Sequence, residues 1–263
     1  MEKGKKVSSK NLIFLSVIVP AYNEENVILD TIKSIDSFLG TQGYPYEIII
    51  SNNASTDNTL SLVENYAKTN KNLVIVNLDK KGKALAVISG MRKAVGRYIL
   101  FTDADNATPI QEVKKLLHYI EDESYDIAIG SREGTGAVRH NEPIVRHLMG
   151  RVYTMIVKVM LFGGIEDTQC GFKLFSRDSI QKILPKLHIF SQERLQHIEI
   201  PGVNAGFDVE LLYVAKKLGL KIKPVPVEWT YGEGTKVNKL KDSWIAFTGI
   251  VKVWLNSKKG KYN

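Results

Sequence analysis

Asp103-Ala104-Asp105 follows directly on the apolar run Tyr98-Ile99-Leu100-Phe101-Thr102. Alternate side chains of extended backbone share a face, so carboxylates spaced i, i+2 at a strand end can converge on one cation. Oxygen-only ligation selects a hard ion, Mg²⁺ or Mn²⁺, and two carboxylates leave coordination positions for phosphate oxygens. The simpler reading is local. Asp and Asn serve turns and caps, and Pro109 suits the first turn of a following helix.

Two further polar clusters accompany this pair: Pro20-Ala21-Tyr22-Asn23-Glu24, and Ser51-Asn52-Asn53-Ala54-Ser55-Thr56-Asp57. An aromatic such as Tyr22 at a strand mouth can stack on a nucleotide base, although it can equally pack on the sheet. Asn23 and Asp57 also suit helix caps. Lys80-Lys81-Gly82-Lys83-Ala84 precedes a helical pattern, where a cation and the positive helix N-terminus suit a phosphate.

The elements that must position these residues read as an α/β alternation. Strands are expected near 13–19, 47–51, 73–77, 98–102 and 126–130, their near-continuous hydrophobicity suiting burial on both faces. Helices are expected over 23–39, 57–68 and 84–94. Beyond Gly130 the order changes to a glycine-containing loop, a basic apolar helix over 143–162, a short strand over 171–176, an excursion over 191–206 and a last helix over 240–255. In open parallel sheets ligands bind beyond the carboxyl ends of the strands. The three polar clusters stand at three such ends and together describe a pocket for a nucleoside diphosphate.

The 263 residues, 44% hydrophobic, can bury a large core. The one cysteine, Cys170, excludes an intramolecular disulfide. Neither a leader nor a run of ~18 apolar residues is found, so a cytoplasmic setting without a spanning helix is expected. Residues 1–10 and 256–263 each carry +3 of the net charge of +8, leaving +2 for the body. These basic tails fit solvation or an anionic membrane surface, and no nucleic-acid partner is expected.

The combined pattern resembles the inverting family 2 glycosyltransferases, and its later part is similar to their dolichyl-phosphate β-glucosyltransferase branch. The residues that carry this are Val17 to Glu24, Gly82-Lys83-Ala84, Asp103-Ala104-Asp105, Gly130-Ser131-Arg132, Asp167 to Phe175, Phe207 to Leu212 and Trp229 to Lys236. The resemblance implies the GT-A fold: a Rossmann-like, mostly parallel twisted sheet flanked by helices, with an acceptor-side C-terminal part. It implies one domain over 11–255, divided into a nucleotide-sugar half (11–130) and an acceptor half (131–255), between a flexible tail over 1–10 and a tail over 256–263.

It further implies that Asp103 and Asp105 bind the metal and diphosphate, with Ala104 contributing backbone and Lys83 beside the phosphates. Pro20, Ala21, Tyr22 and Glu24 would hold the nucleoside, and Ser51 and Asn53 the base. Arg132, Arg146 and Lys236 would reach phosphate groups, while Asp167 and Asp208 would position the reactants. Asp208 also suits a helix cap. Asn52-Asn53 departs from the acidic pair usual in the family. An asparagine amide both accepts and donates, so uracil recognition stays open along with other bases.

The implied reaction moves a hexose, expected to be glucose from UDP-glucose, to a polyprenyl or dolichyl phosphate at the cytoplasmic face of a membrane. A lipid phosphate, with a second pKa near ~6, needs no general base. Between Pro143 and Phe162, Arg146, Arg151 and Lys158 interrupt an apolar segment that can lie in the bilayer interface or pack on the sheet. Two alternatives remain: transfer to a saccharide or other hydroxyl, with Asp167 or Asp208 as base, and a noncatalytic basic module that binds membrane or nucleic acid.

Overall fold

A computed structural model describes residues 12–161, 163–165, 167–197, 206–232 and 239–262. The apolar runs form strands: β1 (Leu15–Ala21), β2 (Tyr46–Asn53), β3 (Leu73–Leu78), β4 (Tyr98–Thr102), β5 (Ile127–Ser131), β6 (Val138–His140), β7 (Phe172–Ser176), β8 (Ile222–Pro226) and β9 (Glu228–Thr230). Seven make one sheet in the order β3-β2-β1-β4-β7-β5-β8, and β6 pairs with β9 in a small parallel ribbon. Every pairing in the large sheet is parallel except those of β7, which runs antiparallel to β4 and β5.

The helices are α1 (Ile28–Gly40), α2 (Thr59–Ala67), α3 (Lys83–Lys93), α4 (Val113–Glu121), α5 (Ile144–Met160), α6 (Arg177–Ile183), α7 (Gln192–His197), α8 (Phe207–Lys217) and α9 (Lys239–Lys258). The two-residue period of the strands divides the core between the faces of the sheet. Leu15, Val17 and Val19 of β1, with Tyr98 and Leu100 of β4, join one cluster, into which α1 inserts Ile28, Ile32, Ile35 and Leu39. Ile18, Ile99 and Phe101 point to the other, against α3, α8 and the buried side of α9. Each such side chain contributes about 1.5–3 kcal/mol of burial, an upper figure because unfolded chains are not fully extended.

Among the described residues no helix is long and apolar enough to cross a membrane. The expected strands begin and end within two residues of those observed; the mostly parallel sheet holds, with β7 as its exception. The expected basic tail over 256–263 differs from what is found. Helix α9 runs to Lys258, and Tyr262 is buried, its hydroxyl donating to Glu210 at 2.6 Å. Glu210 also accepts the backbone N–H groups of His188, Ile189 and Phe190, so one carboxylate ties three segments together.

Candidate active site

Strands β1, β2, β4 and β5 deliver their carboxyl ends to one edge of the sheet, and antiparallel β7 delivers its start there, with Thr102 opposite Phe172. The turn before β7 therefore lies against Asp103. A Cβ on Gly171 would stand 1.8 Å from the Asp103 carboxylate, so any other residue here would push that carboxylate aside. The Asp-Ala-Asp turn is held from both sides. Thr31 of α1 donates to the Ala104 carbonyl at 2.6 Å, and the Thr230 N–H to the Ala107 carbonyl at 2.8 Å.

Lys83, the first residue of α3, reaches Asp103 at 2.6 Å. Asp105 is exposed by surface area yet surrounded on its inner side by protein. That surrounding, and then the charge of Asp103, raise its carboxyl above the ordinary carboxylate range. A divalent cation would relieve this like-charge contact, so the pair fits one. Among the described residues no third His, Cys, Asp or Glu forms a metal-holding group with them.

The first two strand ends interlock. Asn23 accepts the Thr56 N–H at 2.8 Å and gives its own N–H to Ser55 at 3.1 Å. Glu24 N–H donates to Thr59 at 2.8 Å, and Glu25 accepts the Asn58 N–H at 3.0 Å. These bonds hold Asn23 and Ala54 in the left-handed region, each at φ 55°. Asp57 accepts from the Thr59 N–H at 3.0 Å at the start of α2, the local role its position suggests. Tyr22 lies partly exposed at this rim with the Lys81 ammonium 3.5 Å from its ring centre, while Pro20 and Ala21 are buried within β1.

Ser51 is a correction to the sequence reading. It is fully buried within β2, where its hydroxyl would meet a Cβ on Gly90 of α3 at 2.8 Å, so it packs under that helix. Asn53 accepts the Gly82 N–H at 2.6 Å, which leaves its NH₂ as the group to offer a base. Asn52, on the alternate face, donates to Asn77 at 2.7 Å.

On the other side of Asp103 two buried ion pairs dominate. Arg132, just past β5, grips Asp167 with Nε at 2.7 Å and Nη2 at 2.9 Å, and its backbone N–H adds a third bond. Asp167 also accepts the Gln169 and Cys170 N–H groups. Burial alone would raise the Asp167 carboxyl; Arg132 overturns that and holds it well below the usual range. The Arg132 guanidinium lies 5.1 Å from the Trp229 ring centre. Lys173 of β7 is only 1% exposed, an expensive position for a cation, and it is satisfied by Asp208 at 2.6 Å and by the Cys170 carbonyl. Asp208 lies in the first turn of α8 but makes no capping bond there, contrary to the simpler expectation. Burial pushes the Cys170 thiol up to about 11, which removes it as a nucleophile.

Asp103, Asp105, Ala104, Lys83, Arg132, Asp167 and Asp208 are thus brought to one edge, with Tyr22, Glu24 and Asn53 at the ends of β1 and β2. Lys236 lies outside the described residues, as does the side chain of Arg146, whose backbone belongs to α5. Sequence reasoning assigned no role to Lys173 or Gly171. A lysine at a mid-strand position is the signal that could have found the first.

Residues 16–184 match the family model described as Glycosyl transferase family 2. Dolichyl-phosphate beta-glucosyltransferase of Dictyostelium discoideum is 34% identical over 254 residues, covering 92% of this chain and 74% of that protein. The Drosophila melanogaster protein of the same name is 38% identical over 241 residues, covering 85% and 69%. Among solved structures, glucosyl-3-phosphoglycerate synthase from Mycobacterium tuberculosis in complex with Mn²⁺ and UDP-glucose superposes with a TM-score of 0.63. At 18% identity, with 92% of this chain and 79% of that one covered, this likeness speaks for the fold.

Proposed function

This chain belongs to glycosyl transferase family 2, and from that premise we propose that it moves glucose from UDP-glucose to the phosphate of a dolichyl or other polyprenyl phosphate, with inversion. The observation that carries this reading is the pairing of both candidate bases, Asp167 with Arg132 and Asp208 with Lys173. A hydroxyl acceptor needs a base to take its proton, whereas a phosphomonoester with a second pKa near ~6 arrives ionised. The names of the two relatives support the same acceptor.

In this reading residues 11–130 hold the donor by its nucleotide and 131–255 the acceptor, with the hexose between the two halves. Tyr22, Glu24 and the Asn53 amide surround the nucleoside, with Ser51 supporting them from beneath. A Mg²⁺ or Mn²⁺ ion held by Asp103 and Asp105 would neutralise charge on the departing diphosphate. Lys83 is already at Asp103 and contributes a second positive charge there. Arg132, fixed by Asp167, presents its guanidinium from one direction, and Arg146 and Lys236 supply further phosphate contacts. The protein's contribution is alignment of the acceptor oxygen behind the anomeric carbon and electrostatic support of the leaving group.

Helix α5 provides the route to a lipid. Ile144, Leu148, Val152, Met155 and Val159 form a stripe in which every member is at least 50% exposed, while Val157 is buried against the core. With Arg151 exposed beside it, this stripe suits the interface of an anionic leaflet. The protein then works peripherally, at the cytoplasmic face of the membrane that carries its acceptor.

The test is transfer of label from UDP-glucose to dolichyl phosphate with Mg²⁺ or Mn²⁺. Label should enter the lipid fraction, and Asp103→Asn and Asp105→Asn should each lower the rate about 10²-fold or more. Label appearing on soluble saccharides and never on the lipid phosphate would reject the acceptor.

A further inference from the structure

Tyr153 stands on the inner side of α5, where its ring packs with Ile156 and Met160 against the core cluster that holds Val157. Its hydroxyl oxygen is closed off from solvent and, among the described residues, makes no hydrogen bond. A buried phenol hydroxyl ordinarily has a partner, because leaving one unmade is costly. Phenylalanine would fill the same volume without that cost. The hydroxyl therefore calls for a partner that arrives from outside.

Its neighbours indicate what kind. The Gln169 amide approaches the hydroxyl as a donor without completing a hydrogen bond, and the carboxylate of Asp208 acts on it through its charge. Burial first, and then the Asp208 charge, keep the phenol protonated and able to donate. The Asp208 charge also reaches Lys83, the residue bound to Asp103, so this corner adjoins the cation edge. The Asp208 carboxylate is already neutralised by Lys173, so it offers an incoming group a hydrogen-bond acceptor rather than net charge. Together with an amide and a phenol it makes a donor and acceptor set suited to a neutral hydroxyl.

We propose that Tyr153, Gln169 and Asp208 form a subsite for a hydroxyl group of the transferred hexose, with Tyr153 as its specificity-determining member. This subsite rests on the reading that the donor is a sugar nucleotide. It also sets stability against recognition at Tyr153, the residue that reads the sugar.

The experiment compares the wild-type protein with Tyr153→Phe by thermal unfolding and by calorimetric binding of UDP, UDP-glucose and the four UDP-deoxyglucoses lacking the 2-, 3-, 4- or 6-hydroxyl. The variant should unfold at a higher temperature and bind UDP as the wild type does. It should bind UDP-glucose about 3–10-fold more weakly, the scale of one hydrogen bond. One deoxy analogue should lose affinity for the wild type but lose nothing further in the variant, marking the hydroxyl that Tyr153 contacts. Equal affinity of both proteins for UDP-glucose would overturn the proposal, and so would a lower unfolding temperature with weakened UDP binding, which marks a structural hydroxyl. If the wild type binds no UDP-sugar, a panel of other sugar nucleotides replaces it, and only the identity of the nucleotide has failed. If none binds, both readings fall. Normal UDP-glucose binding with transfer only to hydroxyl acceptors would overturn the acceptor assignment while leaving the Tyr153 result to stand.

Discussion

Gly171 owes its place to Asp103. An alanine there would drive its Cβ into the Asp103 carboxylate, the movable end of a side chain, so the fold would yield cheaply while the carboxylate swung away. Gly171→Ala should keep its unfolding temperature within a few degrees and lose transfer about 10²-fold, the usual effect of misplacing a reactive group by an ångström. Retained activity would show that Asp103 has no fixed position to defend. Asp167 behaves oppositely, because five donors converge on a buried carboxylate. Asp167→Asn leaves Arg132 unpaired and should cost about 3–5 kcal/mol in denaturant unfolding at neutral pH. Since the folded-state pKa of Asp167 is depressed, its contribution is fully present above the unfolded value of about 3.9 and is lost as pH falls through the lower folded value. The gap between wild type and variant should therefore hold from pH 8 to 5 and close only in strong acid. A gap that closed near pH 6 would point to a different group. At this scale the spacing of Asp103 and Asp105 was legible because a strand end makes i, i+2 carboxylates neighbours. Ser51 was not, since on a pleated strand one residue decides between the face under α3 and the face under α1, and the sequence carries no mark of which. Tyr153 reads as one more aromatic in an apolar helix until the surroundings of its hydroxyl are known.

Helix α5 divides its residues between two jobs. Its inner row packs on the core and places Tyr153 beside Asp208; its outer stripe meets solvent, with Ile144 86% and Val159 81% exposed. Leu148→Glu or Val159→Glu should leave the unfolding temperature unchanged, because neither side chain contributes to the core. Sedimentation with vesicles containing phosphatidylserine should fall about tenfold or more, the equivalent of burying one large apolar side chain. Unchanged sedimentation would remove the membrane role from this helix. The sequence allowed α5 to face either the sheet or a bilayer; its inner row packs on the core and its outer row is left exposed. The six strands expected were legible to within two residues because a short apolar run bounded by turn residues has few conformations open to it besides a buried strand, whereas β6 and β9 are three residues long and β8 holds two prolines, so none of them carries such a run. The direction of β7 was not, because alternation along a strand is the same read forwards or backwards. Nor did the lysines near the end of the chain reveal that Tyr262 is buried, since the groups that receive it, Glu210 at its hydroxyl and the His188 and Tyr213 rings against its own, lie far away in the sequence.

Across the whole molecule the sheet is sewn together out of order. Strand β4 lies between β1 and β7, and β5 pairs only with β7 and β8, both of which come later in the chain. Opposed residues Thr102 and Phe172 are 70 positions apart. The charge distribution was legible from composition, since most of the excess lies in the two terminal segments. This long-range stitching was not, because it is a property of pairing rather than of any local run. It also bears on how the protein comes into being. Loop-closure entropy must be met before a strand so distant can dock, and non-local pairings of this kind slow folding. Until β7 docks, β5 is not joined to β4 and two strand edges stand open to the wrong partners. The docking that ends this exposure also sets Gly171 against Asp103, so the step that closes the sheet is the one that completes the catalytic edge.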